Sequence, residues 1–148
     1  MGGSRPEANL VSNAQNNAIR GMEGRTSINS LQKSDNKEIA RLRYIVDAGN
    51  TLDHGDLHEL DNNAQRLSDY IEGGLMQDRE QYTDYGNHIM TDSELKNLND
   101  AYGSVNTAAD YINRAAGSSG DIANYHLNMI DENLNDAYDK VLNHAGQR

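Results

Sequence analysis

Two histidines, His54 and His58, come closest in this sequence to the spacing of a metal site. They stand four residues apart in DHGDLHEL, so a helix would place both imidazoles on one face, with Asp53 or Asp61 as further ligands. Gly55 lies inside this stretch, which is typical of a helix start, and no third ligand is evident. The chain also lacks the Glu-x-x-His motif of di-iron bundles. The sequence therefore predicts a solvated helix face and no bound metal.

Carboxylates are abundant, and neighbours such as Asp131 with Glu132, or Asp136 with Asp139, raise the question of acid–base catalysis. A general acid needs a raised pKa and hence burial against apolar groups. Nearly all of these carboxylates fall on the polar faces of predicted helices. The sequence contains neither a nucleophile-elbow motif nor a Gly-x-x-x-x-Gly-Lys phosphate loop. We therefore predict no catalytic residue, no cofactor and no enzymatic activity.

Tyrosine is the only aromatic residue and occurs eight times. Stacking on nucleic-acid bases needs aromatic rings interleaved with Lys and Arg, and only RLRY at 41–44 has that character. Because Leu42 in this stretch is typical of a core residue, we expect that nucleic acid is not bound directly. Six tyrosines beside apolar stripes are instead expected in the core or in protein interfaces: Tyr44, Tyr70, Tyr82, Tyr85, Tyr102 and Tyr138.

The composition is polar and acidic, which limits the hydrophobic core. Leu, Ile and Val together number 26 of 148 residues, Phe and Trp are absent, and the net charge is −10. Without cysteine the chain can form neither a disulfide nor a thiolate metal site. No apolar stretch has the length of a membrane span or the pattern of a signal peptide. We therefore expect a soluble protein without a membrane partner, located in the cytoplasm of the producing cell or in a virion.

The hexapeptide NLNDAY occurs twice, at 97–102 and at 133–138, within two helical patterns separated by the turn GSSG at 117–120. Apolar residues recur in steps of three and four in both patterns. The first seam is Leu95, Leu98, Tyr102, Val105, Ala109, Ile112 and Ala116. The second seam is Ala123, Leu127, Ile130, Leu134, Ala137 and Val141, widened by Tyr138, Leu142 and Ala145. The sequence predicts an antiparallel pair of helices, and either duplication or convergence explains the repeat.

Signals at the ends of helices divide the rest of the chain. Thr91 with Glu94 predicts a capping box, Gly117 predicts a left-handed residue after a helix, and Gly49 predicts another helix end. Asp35 with Glu38 resembles a capping box at a helix start. Upstream of residue 90, a further seam is Leu57, Leu60, Ala64, Leu67 and Ile71. We expect Gly73 and Gly74 to break or kink the helix that carries it.

These patterns predict an all-α fold, an antiparallel bundle of four or five helices with heptad-like seams, formed by residues 28–148. Residues 1–27 are predicted to be an N-terminal arm ordered mainly by neighbouring chains, because a short helix of this composition is marginal alone in water. Residues 1–48 carry seven Lys/Arg and five Asp/Glu, whereas residues 49–148 carry six and eighteen. The predicted partner-contact residues in the arm are Leu10, Val11, Ala14, Ile19, Arg20 and Arg25.

The predicted function is structural. The chain contains 19 Asn residues, which form helices poorly, so packing against neighbours must support these helices. We expect a non-enzymatic assembly protein packed in multiple copies in a larger particle, for example an internal, neck or tail-associated component of a phage virion. Its expected partners are copies of itself and other assembly subunits. The alternative is an acidic helical inhibitor or nucleic-acid mimic that presents carboxylates to a basic partner.

Overall fold

Four α-helices form the part of the chain that the structure describes. The computed structural model describes the backbone of residues 6–146 and the side chains of residues 27–142. The helices are α1 (Pro6–Asp47), α2 (His54–Tyr85), α3 (Asp92–Ala115) and α4 (Gly120–Gly146). The described backbone contains no strand. The helices pack against one another, which confirms the predicted all-α bundle with four helices.

The helices are arranged as a closed ring in which each packs on the next and α4 packs back on α1. The interface between α3 and α4 is the largest of the four. Helices α1 and α4 run antiparallel, since Gln32 contacts Asn135 and Arg43 contacts Asn128. Aliphatic residues from all four helices meet in the centre and form one continuous core.

Alanine recurs every seven residues on the buried face of α3. Ala101, Ala108 and Ala115 are fully buried, and small side chains at the contact let two helices approach closely. The three residues that follow these alanines, which the sequence pattern had placed on the seam, are half-buried: Tyr102, Ala109 and Ala116. At these three positions the residue that faces the core is therefore the alanine one place before the predicted seam residue. The six predicted seam residues of α4 are all buried, as are Leu98, Val105 and Ile112 of α3.

Three of the predicted helix-end signals are confirmed. Thr91 and Glu94 bond each other's backbone N–H groups at the start of α3, as a capping box requires. Gly49 (φ +87°) follows the end of α1, and Gly117 (φ +82°) follows the end of α3. Both glycines occupy the left-handed region that other residues avoid, which allows the chain to turn out of each helix.

Two loops are joined at one end of the bundle. The loop between α1 and α2 contributes Leu52, whose N–H donates to the carbonyl of Ser118 at 2.9 Å. The N–H of Gly117 donates back to the carbonyl of Leu52 at 2.7 Å. The Leu52 side chain is fully buried beneath this contact. The α1–α2 loop is therefore fastened to the α3–α4 loop by backbone hydrogen bonds as well as by apolar packing.

The predicted helix start at Asp35 is wrong. Helix α1 runs through this position without interruption, and Asp35 is buried in its interior. Glu38, expected to complete the cap, lies 3.0 Å from the guanidinium of Arg41. The local Asp-x-x-Glu pattern was outweighed by tertiary contacts of Asp35, which are described below.

The predicted break at Gly73 and Gly74 is also wrong, because α2 continues through both glycines to Tyr85. A Cβ atom at Gly74 would lie 3.4 Å from Cδ1 of Leu98 on α3. Gly74 therefore lies against Leu98 within a continuous helix and does not end it.

Candidate functional site

A buried carboxyl centre, formed by Asp35 on α1, Asn63 on α2 and Tyr138 on α4, is the most enclosed polar cluster of the described residues. These side chains are 1%, 3% and 0% exposed, respectively. The Tyr138 hydroxyl donates a hydrogen bond to Oδ2 of Asp35, and Nδ2 of Asn63 donates to Oδ1 at 2.9 Å. Asn63 also donates to the hydroxyl of Ser34 at 3.0 Å. One carboxyl group thus connects three helices.

The burial of this centre controls its protonation. Burial raises the pKa of Asp35 to about 6, because desolvation disfavours the carboxylate, although the hydrogen bonds from Tyr138 and Asn63 act in the opposite direction. The negative charge of Glu38 adds to the increase. Burial, followed by the charge of Asp35, also raises the pKa of the Tyr138 phenol. Tyr138 therefore remains a hydrogen-bond donor throughout the physiological pH range.

The geometry of the buried carboxyl centre suits alignment of the helices. Its three side chains are enclosed by the bundle, so a substrate could reach them only if the helices separated. Buried polar groups are costly unless each finds its partner. Sliding α1 along α2 or α4 would leave Asp35 without Asn63 or Tyr138. The centre therefore favours one register of α1 against its two neighbours.

The sequence contains a sign of the buried carboxyl centre, but the Asp-x-x-Glu pattern at Asp35 suggests a helix cap instead. Ile28, Asp35 and Leu42 are spaced by seven residues, so Asp35 occupies a core position of one continuous heptad seam. Asn63 likewise stands three residues after one buried leucine and four before the next. A polar residue on a seam, with a second polar residue on a neighbouring seam, is the pattern that could have revealed the centre.

A second buried carboxylate, Asp78, organises the loop between α2 and α3. Its Oδ1 accepts hydrogen bonds from the N–H groups of Ile89 at 2.7 Å and Met90 at 3.0 Å, and Nδ1 of His88 lies 2.6 Å from Oδ2. Burial opposes ionisation, but the hydrogen bonds from Met90, His88 and Ile89 outweigh it and lower the pKa of Asp78. The ring of Tyr82 stacks on His88 with centroids 4.5 Å apart. Asp78 is therefore an ionised anchor for this loop.

Tyrosine lies mainly at the surface of the bundle. Of the six tyrosines expected in the core or in interfaces, Tyr138 is fully buried, and Tyr70 and Tyr102 are partly buried against the core. Four tyrosines are more than half exposed, and Tyr44 is the most exposed of them at 77%. The large apolar residues with more than half of their surface exposed are Tyr44, Met76, Tyr82, Tyr85, Ile122 and Tyr125.

One aromatic cluster lies where α3 and α4 meet. The Tyr111 and Tyr125 rings pack edge to face with centroids 6.0 Å apart, and both contact the His126 ring. The Arg114 guanidinium lies 5.5 Å from the centre of the Tyr111 ring, in cation–π geometry. Nδ1 of His126 is inaccessible to solvent and has no hydrogen-bond partner among the described residues. The cluster thus combines ring packing with an unsatisfied polar atom.

Of the residues considered for metal binding, Asp53 and His58 make local hydrogen bonds, and His54 and Asp61 are exposed. Asp53 caps α2 through reciprocal hydrogen bonds with Asp56, at 2.7 and 3.0 Å. Nε2 of His58 lies 3.1 Å from the amide nitrogen of Asn62. Within residues 27–142, no group of three or more His, Asp or Glu side chains is placed to hold a metal ion.

The predicted partner-contact residues lie outside the side chains that the structure describes. They are Leu10, Val11, Ala14, Ile19, Arg20 and Arg25. Their role in contacts with neighbouring chains therefore stays a prediction, as does the division of the chain at residue 27.

No family model, curated protein or solved structure matches this chain. Over the residues that the structure describes, no helix combines the length and apolar character needed to cross a membrane. The function must therefore be inferred from the surfaces and the core of the molecule itself.

Proposed function

We propose that this protein is a non-enzymatic structural component, packed in multiple copies with itself and other subunits in a larger particle such as a phage virion. The placement of tyrosine is the observation that supports this proposal. The chain has no Phe or Trp, fills its core with aliphatic residues and leaves four tyrosines more than half exposed. Tyrosine and methionine are enriched in protein interfaces because they bury a large area and tolerate contact with water.

The exposed apolar residues lie on several sides of the bundle. Tyr44 is on α1, Met76 and Tyr85 are on α2, and Ile122 and Tyr125 are on α4. Because these helices occupy different corners of the ring, a single partner on one face could not cover all of them. This distribution favours a protein with several neighbours, as in an assembled particle.

The N-terminal arm is proposed to contribute to the same packing. Residues 27–142 carry nine Lys/Arg and 21 Asp/Glu, whereas residues 1–26 carry three and two. Arg20 and Arg25 would face the acidic surface of a neighbouring copy, while Leu10, Val11 and Ile19 supply apolar contact. The entropy of ordering such a segment, about 1–2 kcal/mol per residue for the backbone, would be offset by these contacts.

Sedimentation velocity over a range of concentrations tests this proposal. We expect the full chain to associate as its concentration rises, and the chain lacking residues 1–27 to associate more weakly. The truncated chain should keep nearly the same melting temperature, because Ile28, buried in the core, is retained. A full chain that stays monomeric at all concentrations would contradict packing in multiple copies. A truncated chain that unfolds would show that the arm belongs to the core.

The acidic surface of α2 supports the alternative of an acidic inhibitor or nucleic-acid mimic. Apart from the buried Asp78, this helix carries seven Asp/Glu and two Arg, and carboxylates in such an array can match a basic groove. In that case the chain would be a monomer, and its binding to a basic partner would weaken steeply as salt is added. Sedimentation of the chain alone separates this alternative from the assembly function.

A further inference from the structure

The outer face of α1 carries a row of cations on a protein that is otherwise acidic. Lys33, Lys37, Arg41 and Tyr44 are separated by steps of four, four and three residues, so they lie along one face of the helix. All four are exposed. We call these four residues the α1 stripe.

The charges of the α1 stripe are only partly balanced within the chain. Arg41 pairs with Glu38 and lies 3.9 Å from a carboxylate oxygen of Asp56. Lys33 and Lys37 form no ion pair with any residue that the structure describes. Like charges four residues apart destabilise a helix. The stripe therefore carries an electrostatic cost that an anionic partner would relieve.

The outer face of α2 carries a complementary row. Met76 follows Asp69 by seven residues and Glu72 by four, and it precedes Glu80 by four. All four residues are exposed. Asp69 accepts a hydrogen bond from Gln65, and Glu72 accepts one from Tyr102. None of the three carboxylates pairs with a cation of the described residues. We call Asp69, Glu72, Met76 and Glu80 the α2 stripe.

The two stripes have the same length, and residues 37–44 of the first match residues 69–76 of the second in order. Each stripe spans twelve residues, from 33 to 44 and from 69 to 80, which is about 17 Å of helix. Lys37 stands seven residues before the exposed Tyr44, and Asp69 stands seven residues before the exposed Met76. With the two helices parallel and Tyr44 against Met76, Lys37 therefore faces Asp69.

Building on the assembly function proposed above, we propose that the α1 stripe of one copy docks on the α2 stripe of a second copy of this chain. Tyr44 packs against the Met76 thioether, a favourable contact between sulfur and an aromatic ring. Lys37 faces Asp69 and Arg41 lies beside Glu72, and these two pairs of opposite charge set the register of the contact. Because each copy carries both stripes, the contact forms twice in a closed dimer, or once between each pair of neighbours in a ring or a filament.

Charge reversal tests this contact. In one variant Lys33→Glu and Lys37→Glu make the α1 stripe acidic, and in another Gln65→Lys and Asp69→Lys make the exposed α2 positions that face them basic. We expect each variant alone to self-associate about tenfold more weakly than the wild type, because like charges then face each other. An equimolar mixture of the two variants should recover association, since each stripe again meets its opposite. The chain with all four substitutions should recover it as well.

The matched control reverses two exposed cations on α3, with Lys96→Glu and Arg114→Glu. It changes the net charge as much as the Lys33 and Lys37 pair does, and it should associate more strongly than that variant. Wild-type association that persists in both stripe variants, or a mixture that fails to recover it, would overturn this contact while leaving the assembly function standing. A wild type that remains monomeric at all concentrations would defeat both proposals.

The absence of cysteine allows a second test that is independent of charge. Tyr44→Cys in one copy and Met76→Cys in another should form a disulfide-linked dimer under mild oxidation, because the proposed contact places these positions together. Tyr44→Cys mixed with Tyr125→Cys, an equally accessible position on α4, should cross-link more slowly. Equal yields in the two mixtures would overturn the proposed contact.

Discussion

The two copies of NLNDAY share six residues, but their tyrosines have different surroundings. In both copies the leucine is buried, as Leu98 and as Leu134. In both, the second asparagine donates to the carbonyl four residues earlier, at 2.9 Å for Asn99 and 3.0 Å for Asn135. The hexapeptide therefore produces the same local structure on α3 and on α4, including the face that it buries.

The difference begins at the last residue of the repeat. Tyr102 on α3 donates to the carboxylate of Glu72 on α2, at 2.6 Å on the surface. Tyr138 on α4 donates to the carboxyl of Asp35 on α1, inside the core. The same pairing of a hydroxyl with a carboxyl is thus solvated in one copy and enclosed in the other. The neighbouring helix, and not the motif, determines what this contact contributes to stability.

The largest expected effect is one that the two copies share. Leu98→Ala and Leu134→Ala should each lower the free energy of unfolding by about 2–5 kcal/mol, because each leaves a cavity in the core. Asn99→Ala, at an exposed position of the first copy, should change it by less than about 0.5 kcal/mol. Urea denaturation measures these differences. Equal effects for the Leu98 and Asn99 substitutions would show that the assigned faces of α3 are wrong.

The next effect distinguishes the copies through pH. The pKa of Asp35 is about 6 in the folded state, against an ordinary value of 3.8, so the folded state binds this proton more tightly than the unfolded state does. The contribution of protonated Asp35 to the free energy of unfolding is complete below about pH 4 and is lost as the pH rises through 6. The expected loss is up to about 3 kcal/mol. Urea denaturation from pH 4.5 to pH 7.5 should show it.

Asp35→Asn is the control for this pH dependence, because an amide resembles the protonated carboxyl but does not titrate. The unfolding free energy of this variant should be nearly independent of pH over the same range. An equal slope in the wild type and in the variant would show that another group is responsible. The lowered pKa of Asp78 acts in the opposite direction, since its stabilisation is present above pH 4 and is lost as the pH falls further.

A smaller effect is expected when the buried tyrosine loses its hydroxyl. Tyr138→Phe should lower the free energy of unfolding by about 1–3 kcal/mol, because Asp35 then lacks one of its two hydrogen bonds in a buried site. The bond from Tyr138 lowers the pKa of Asp35, so its removal should also move the pH-dependent loss of stability to higher pH. Denaturation at several pH values measures both changes. A variant with wild-type stability and an unshifted pH profile would contradict a buried contact.

The smallest effect is expected at the same position of the other copy. Tyr102→Phe removes a hydrogen bond that water can replace, so the midpoint of urea denaturation should not change measurably. In the wild type, the hydrogen bond to Glu72 raises the pKa of the Tyr102 phenol. Spectrophotometric titration of this variant should therefore show one late-titrating tyrosine fewer, while the contribution of Tyr138 remains. Equal destabilisation by Tyr102→Phe and Tyr138→Phe would remove the distinction between the copies.

The parts of the fold that the sequence predicted are those determined by local chemistry. The leucine seams, the Thr91 capping box and the left-handed glycines depend on residues within one or two turns of each other, and the structure confirms them. The role of Asp35 depends instead on Asn63 and Tyr138, which are 28 and 103 residues away along the chain. A local pattern cannot show whether a polar residue on a seam has a partner across the core. The proposed partner contacts of the arm lie beyond the same limit, because they would depend on other chains.

The fastened loops at Leu52 and Gly117 have a consequence for the dynamics of the bundle. Amide protons in loops usually exchange rapidly with solvent, but the N–H groups of Leu52 and Gly117 are bonded between two loops over a buried leucine side chain. They can exchange only when the contact between these two loops opens. We expect these two amides to exchange as slowly as those of the core helices. Local opening of the bundle would then begin at the opposite end, near the loop between α2 and α3.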